Sequence, residues 1–173
     1  MRVNVGCGRR PLQGYVNLDL VRYPDVDYAG VEFRQVDARD LSWWEAAPLE
    51  EIRADQFLEH LTRDEGLAWL RECRRVIAPT GVLRLTVPDF GAHAADYASR
   101  EQTVRLSGWL RDRLLQDPVY DLVDEVRIYV LHGEGHRMHY DARMLRRALE
   151  ATGWEVARLD PDGANIAVTC RPA

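Results

Sequence analysis

The sequence predicts one α/β domain built on a mainly parallel sheet, and two observations predict it. Short branched apolar runs alternate with helical periodicities along the whole chain, and most of those runs stop at a glycine or a carboxylate. The 173 residues, 46% of them hydrophobic, suffice for one core and are too few for two comfortable ones. Alternation of this kind calls for helices on both faces of the sheet.

The elements follow in order. Val3 to Val5 is a short strand running into glycine, "YVNLDL" a second, and "VEFRQVDARDL" a third that alternates Val31, Phe33 and Val36 before an acidic end. A weak fourth strand surrounds Ile52 and runs into a helix start at Phe57 to Leu61. Thr62 and Glu65 then make a T-x-x-E capping box, and Leu67, Leu70, Cys73 and Ile77 form an apolar stripe that Pro79 and Gly81 bring to an end. Val82 to Pro88 is a fifth strand. A helix-prone stretch covers roughly Ala92 to Leu115, followed by the acidic "DPVYDLVDE". Asp141 caps a helix bearing Met144, Leu145, Ala148 and Leu149 and closed at Gly153, and a hairpin with a PDG turn ends the sequence.

Composition narrows the function classes. A net charge of -5 and a pI near 5.5 provide no basic field for nucleic acid or an anionic membrane, so neither is expected as a partner. All 23 basic residues are arginine, which reads as coding bias. Cys7, Cys73 and Cys170 are an odd number at wide spacing with no CxxC, which fits a reducing cytoplasm. No apolar run approaches a membrane span and the start is a strand pattern, so a soluble cytoplasmic protein is expected.

In parallel sheets ligands bind beyond the carboxyl ends of the strands, where strand order reverses. Three consecutive strand ends carry suitable chemistry. The Gly6-Cys7-Gly8 turn lets backbone approach a ligand closely. Asp19, closing the second strand, is placed to accept both hydroxyls of a ribose, and Asp37, closing the third, to accept from an adenine amino group while Ala38 offers its amide.

The series "VNVGCG", "VNLDL", "VDARDL", "DQFLEHL", "LRECRRVIAPTGVLRLTVPD" and "HYDARMLRRALEATGWEV" resembles the class I S-adenosylmethionine-dependent methyltransferases, and among them the small proteins in which a GCG turn is followed almost at once by "GYVNLD". The resemblance spans Val3 to about Cys170. It implies a Rossmann-like, seven-stranded, mainly parallel sheet with an antiparallel last strand, S-adenosyl-L-methionine as cofactor, and one domain over residues 1–173 with an acceptor-side insertion at about 90–140. It also implies that Gly6, Cys7 and Gly8 pass under the cofactor, that Asp19 holds the ribose and Leu20 packs on the adenine, and that Asp37 and Ala38 meet the adenine edge. Asp55 and Gln56 match positions facing the methionine moiety and the transferable methyl. A dinucleotide alternative is weakened because Arg9, Arg10 and Pro11 stand where a third glycine would be needed for the pyrophosphate.

The sequence departs from the usual pattern in having no room for a full helix between Gly8 and Asp19, eleven positions apart. A shortened N-terminal helical part is expected, with one sheet face thinly covered and a homodimer as one way to cover it.

Methyl transfer needs a base only where the acceptor is protonated. The expected acceptor walls are Asp89 and His93 after the fifth strand, and His132, His136, His139 and Tyr140 in "HGEGHRMHY". His136 and His139 lead as base candidates, with Asp89 beside them. His60 reads as holding a helix start. The H-x3-H-x2-H spacing invites a metal, but the glycines around it suggest a loop and no HExxH is present, so no metal site is expected. The expected activity is methyl transfer to a small-molecule or glycan-like acceptor at oxygen or nitrogen. The alternatives are another use of the same cofactor, such as different alkyl transfer, cofactor cyclisation or regulation, and more distantly a zinc hydrolase.

Overall fold

A computed structural model describes residues 1–42, 44, 48–99 and 136–173. Seven strands, β1 (Arg2–Val5), β2 (Val16–Asp19), β3 (Glu32–Gln35), β4 (Leu49–Asp55), β5 (Ile77–Pro88), β6 (Trp154–Pro161) and β7 (Asn165–Pro172), form one sheet in the order β3-β2-β1-β4-β5-β7-β6. All neighbours pair in parallel except β7, which runs antiparallel to both β5 and β6. The antiparallel last strand expected from the PDG turn is present. Asp162 closes that turn by accepting from the amides of Ala164 and Asn165 at 3.0 and 2.6 Å.

The helices are α1 (Arg63–Val76), α2 (Phe90–Ser99) and α3 (Ala142–Glu150), with a single 3-10 turn at Leu58–His60 ahead of α1. The capping box forms as its spacing predicts: Thr62 Oγ1 accepts from Glu65 N at 3.3 Å and Glu65 Oε2 accepts from Thr62 N at 2.8 Å. Asp141 caps α3 through Met144 N at 2.6 Å. The stop of α1 differs from expectation. The helix ends at Val76 and Ile77 already pairs with Leu49, so "APTG" belongs to β5 rather than to a loop. Gly81 permits this, because a Cβ there would lie 2.5 Å from Ile77 Cγ1 and 2.8 Å from the Leu49 carbonyl. The predicted helix over residues 92–115 overlaps α2 at its start, and residues 100–135, with the acidic stretch, fall outside those described.

Helical cover on both faces is not what the described residues show. Ile52, Ala54, Leu83, Leu85, Val87, Ile166, Val168 and Cys170 project into one core with Trp69, Leu70 and Cys73 of α1 and Leu145 and Leu149 of α3. The opposite face is polar. Asn17, Asn4, Arg53, Arg84 and Thr169 stand side by side across five strands in register. Arg53 and Arg84 are 40% and 49% exposed at the side chain, which a face packed under helices would not allow. At one end of that row the short segment between β1 and β2 takes the place of a helix. It is tied down by side chains: Leu12 N donates to Asn17 Oδ1 at 2.7 Å, Asn17 Nδ2 donates to the Leu12 carbonyl at 3.0 Å, and Asn4 Nδ2 donates to Asn17 Oδ1 at 2.9 Å. Two buried asparagines thus satisfy a loop whose own backbone supplies a single turn bond, from Arg10 N to the Cys7 carbonyl at 2.9 Å.

Candidate functional site

Strand order reverses between β1 and β4, and in a doubly wound sheet the carboxyl ends of the strands beside that switch point are where a ligand is expected. The Gly6-Cys7-Gly8 turn emerges there. Gly6 has φ +61°, and a Cβ on it would come within 2.6 Å of Phe57 Cδ2, so both conformation and space require glycine. Gly8 has φ +53° but nothing within 4 Å of a Cβ, which leaves the space above it open for a ligand. Its amide donates to Asp19 Oδ2 at 2.7 Å, while Asp19 Oδ1 accepts from Val21 N at 2.9 Å. Glycine turn and aspartate are therefore two sides of one cradle. Each carboxylate oxygen keeps a lone pair for a further donor. Leu20, 58% exposed, presents an apolar surface beside it. Cys7 is buried, and burial, with the Asp19 charge adding to it, pushes its thiol up to about 12. It is a packing residue under the turn, not a nucleophile.

The third strand end is engaged differently. Asp37 is gripped by Arg39, whose Nε lies 2.9 Å from Oδ1 and whose Nη2 lies 2.6 Å from Oδ2, and that pairing holds its carboxyl below the usual range. Ala38 is buried and its carbonyl accepts from Trp69 Nε1 at 3.1 Å, which fixes this loop to α1. At the end of β4, Asp55 accepts from Thr86 Oγ1 at 2.9 Å and from Arg53 Nε at 2.7 Å. Gln56 adopts φ 54°, rare outside glycine. Its backbone amide reaches Thr86 O at 2.8 Å, and its side chain donates to Asn165 Oδ1 at 3.1 Å.

On the acceptor side, Asp89 is buried and caps α2, its Oδ1 accepting from Ala92 N at 3.2 Å. It bridges to Tyr140 through the backbone, with Phe90 N donating to Tyr140 O at 2.9 Å. The His139 ring stacks on Phe90 at 5.3 Å, and His136 meets His60 edge-on at 4.9 Å. Burial, with the neighbouring histidines adding to it, brings His136 down to about 4. His132 lies outside the described residues. Glu59, which the sequence reading passed over, is 1% exposed with neither carboxylate oxygen hydrogen-bonded, and burial raises it to about 8. The "EH" pair within "FLEHL" was its only trace in the sequence. A cavity of about 480 Å³ opens at the opposite, amino ends of β1 to β3, between Arg2, Tyr15 and Glu32, away from these groups.

No protein-family model matches this chain and no curated protein matches it in sequence. Solved structures do match in fold. A 1,6-didemethyltoxoflavin-N1-methyltransferase from Burkholderia thailandensis, with its substrate and S-adenosylhomocysteine bound, aligns with a TM-score of 0.65 at 15% identity, over 99% of this chain and 70% of that one. A putative S-adenosylmethionine-dependent methyltransferase from Listeria monocytogenes aligns with a TM-score of 0.59 at 10% identity, over 99% and 90%. LepI in complex with S-adenosylmethionine aligns with a TM-score of 0.57 at 8% identity, and this chain spans only 43% of it. The chain has the seven-stranded fold of the S-adenosylmethionine-dependent methyltransferases.

Proposed function

We propose that the protein binds S-adenosyl-L-methionine across Gly6, Gly8 and Asp19 and transfers its methyl group to a small-molecule or glycan-like acceptor, at oxygen or nitrogen. The observation that carries this reading is the 2.7 Å bond between Gly8 N and Asp19 Oδ2, at the carboxyl ends of β1 and β2 beside the switch point. It sets a hydroxyl-accepting carboxylate against open space over a glycine, the arrangement a ribose requires. The structural neighbours crystallised with S-adenosylmethionine or its demethylated product support the choice of ligand.

When bound, the cofactor would supply an electrophilic methyl group on a sulfonium, with a neutral thioether as the leaving group. Everything else falls to this chain. Asp19 and Leu20 orient the nucleoside, with Asp37 and Ala38 at the adenine edge. Asp55 and Gln56, locked by Thr86 and Asn165, face the methionine end. His139 takes the proton of a protonated acceptor. It is preferred to His136, which is too weak a base after burial lowers it to about 4. Leu20 and Val21, 58% and 46% exposed, would be covered in a homodimer, and a monomeric mass by light scattering would remove that part of the reading.

Calorimetric titration with S-adenosylmethionine and S-adenosylhomocysteine tests the core of the proposal. Both should bind at one equivalent, and no binding to wild type would sink it. A second reading keeps the cofactor but not methyl transfer. It is favoured by the alignment with a structure described as a pericyclic reaction enzyme, which this chain covers by 43% with a TM-score of 0.57. Incubation with candidate acceptors while following S-adenosylhomocysteine separates the two.

A further inference from the structure

A carboxyl group at 1% exposure with no hydrogen bond to either oxygen is costly to keep charged, and it stays protonated unless a cation reaches it. Around Glu59 the chain supplies two imidazoles. Arg137 N and Met138 N both donate to the Glu59 carbonyl, at 2.8 and 3.1 Å, and this clamp brings the segment before α3 down onto the 3-10 turn. His136 is thereby placed against His60, ring centroids 4.9 Å apart. One ligand-capable atom from each of Glu59, His60 and His136 lies within 4.8 Å of the other two. Two of the three residues are neighbours in sequence, and the third comes from beyond β5 and α2. The groups are drawn from separate elements to one point.

We propose that Glu59, His60 and His136 form a site for one divalent transition-metal ion of the zinc type, held by the Glu59 carboxylate and one ring nitrogen of each histidine. The donor set decides the class of ion. Two imidazoles and a carboxylate suit zinc or iron(II), whereas calcium and magnesium prefer oxygen ligands throughout. Bonds of about 2.0–2.2 Å at tetrahedral angles put ligand atoms about 3.4 Å apart, so an ion would draw in a triangle whose sides are at most 4.8 Å. The backbone clamp at Glu59 O supplies the fixed support such a site needs. Both histidines are only partly buried, so the site lies at the edge of the core rather than deep within it. The site does not depend on the methyl-transfer reading, and either can fail without the other.

The test uses the full-length protein, stripped with a chelator and desalted. Titrating zinc chloride by calorimetry, with metal analysis of the product, should show one equivalent bound, a matching rise in melting temperature, and no heat with magnesium. Glu59→Gln and His136→Ala should each weaken zinc binding by at least about tenfold, while His93→Ala binds as wild type does. Should Glu59→Gln not fold, as judged by circular dichroism in chelator, His136→Ala on the partly buried segment carries the comparison alone. Wild type taking up well under one equivalent, or both variants binding zinc as tightly as wild type, overturns the proposal.

Discussion

Asp19 carries two loads. Its Oδ2 fixes the Gly8 amide and its Oδ1 the Val21 amide, so the carboxylate is aimed before any ligand arrives. Hydrogen bonds to a charged acceptor contribute about 1.5–3 kcal/mol each. Asp19→Ala should therefore weaken S-adenosylhomocysteine by at least about tenfold in calorimetry, and by about 100-fold if both ribose hydroxyls bond to it. Equal affinity in the variant would end the ribose assignment. Beneath the turn, Cys7 belongs to the core, as do Cys73 and Cys170, and burial raises all three thiols. At pH 8 we expect iodoacetamide to label the native protein at least about 100-fold more slowly than the urea-unfolded chain. Glycine turn and aspartate were legible in the sequence because turn chemistry is local. Glu59 was not, because its partner His136 is 77 positions away and only the folded chain brings them together.

At the scale of elements, legibility followed the same rule. The capping box of α1 lies within four residues, so its start was readable; Thr62→Ala should cost about 1 kcal/mol and lower the melting temperature by about 2–4 °C. The end of α1 depended on Gly81 meeting the Leu49 carbonyl of another strand, and sequence spacing therefore placed the stop too late. The two asparagines of β1 and β2 were a clearer signal than their strands suggested. Asparagine is depleted in strand interiors, and here Asn17 holds Leu12 through both N–H and C=O. Asn17→Leu leaves those groups and Asn4 without their partner, at about 1–3 kcal/mol for each buried group lost. We expect a drop in melting temperature well beyond that of Thr62→Ala. A drop no larger would mean that the loop is held by something other than its asparagines.

For the whole molecule, the sheet divides into two regions of unequal support. β5, β7 and β6 are the longest strands, whereas β1, β2 and β3 are four residues each and joined by loops without a helix; β1 and β2 reach the common core through Val3, Val5, Val16 and Leu18. The proposed ligand would sit on the weaker half. A ligand that binds only the folded state at 100 times its dissociation constant adds about 2.7 kcal/mol of stability, which in a chain of this length is a rise of about 5–10 °C in melting temperature. Local stability should respond unevenly. With S-adenosylhomocysteine bound, amide exchange at Cys7, Gly8 and Val21 should slow markedly, because two of these donate to Leu18 or Asp19 and the third to Asp19 from the other side of the cradle. Exchange within the β6–β7 hairpin should change little beyond the global gain. Protection centred on that hairpin instead would place the ligand elsewhere, and the fold alone would then be all that this chain shares with its structural neighbours.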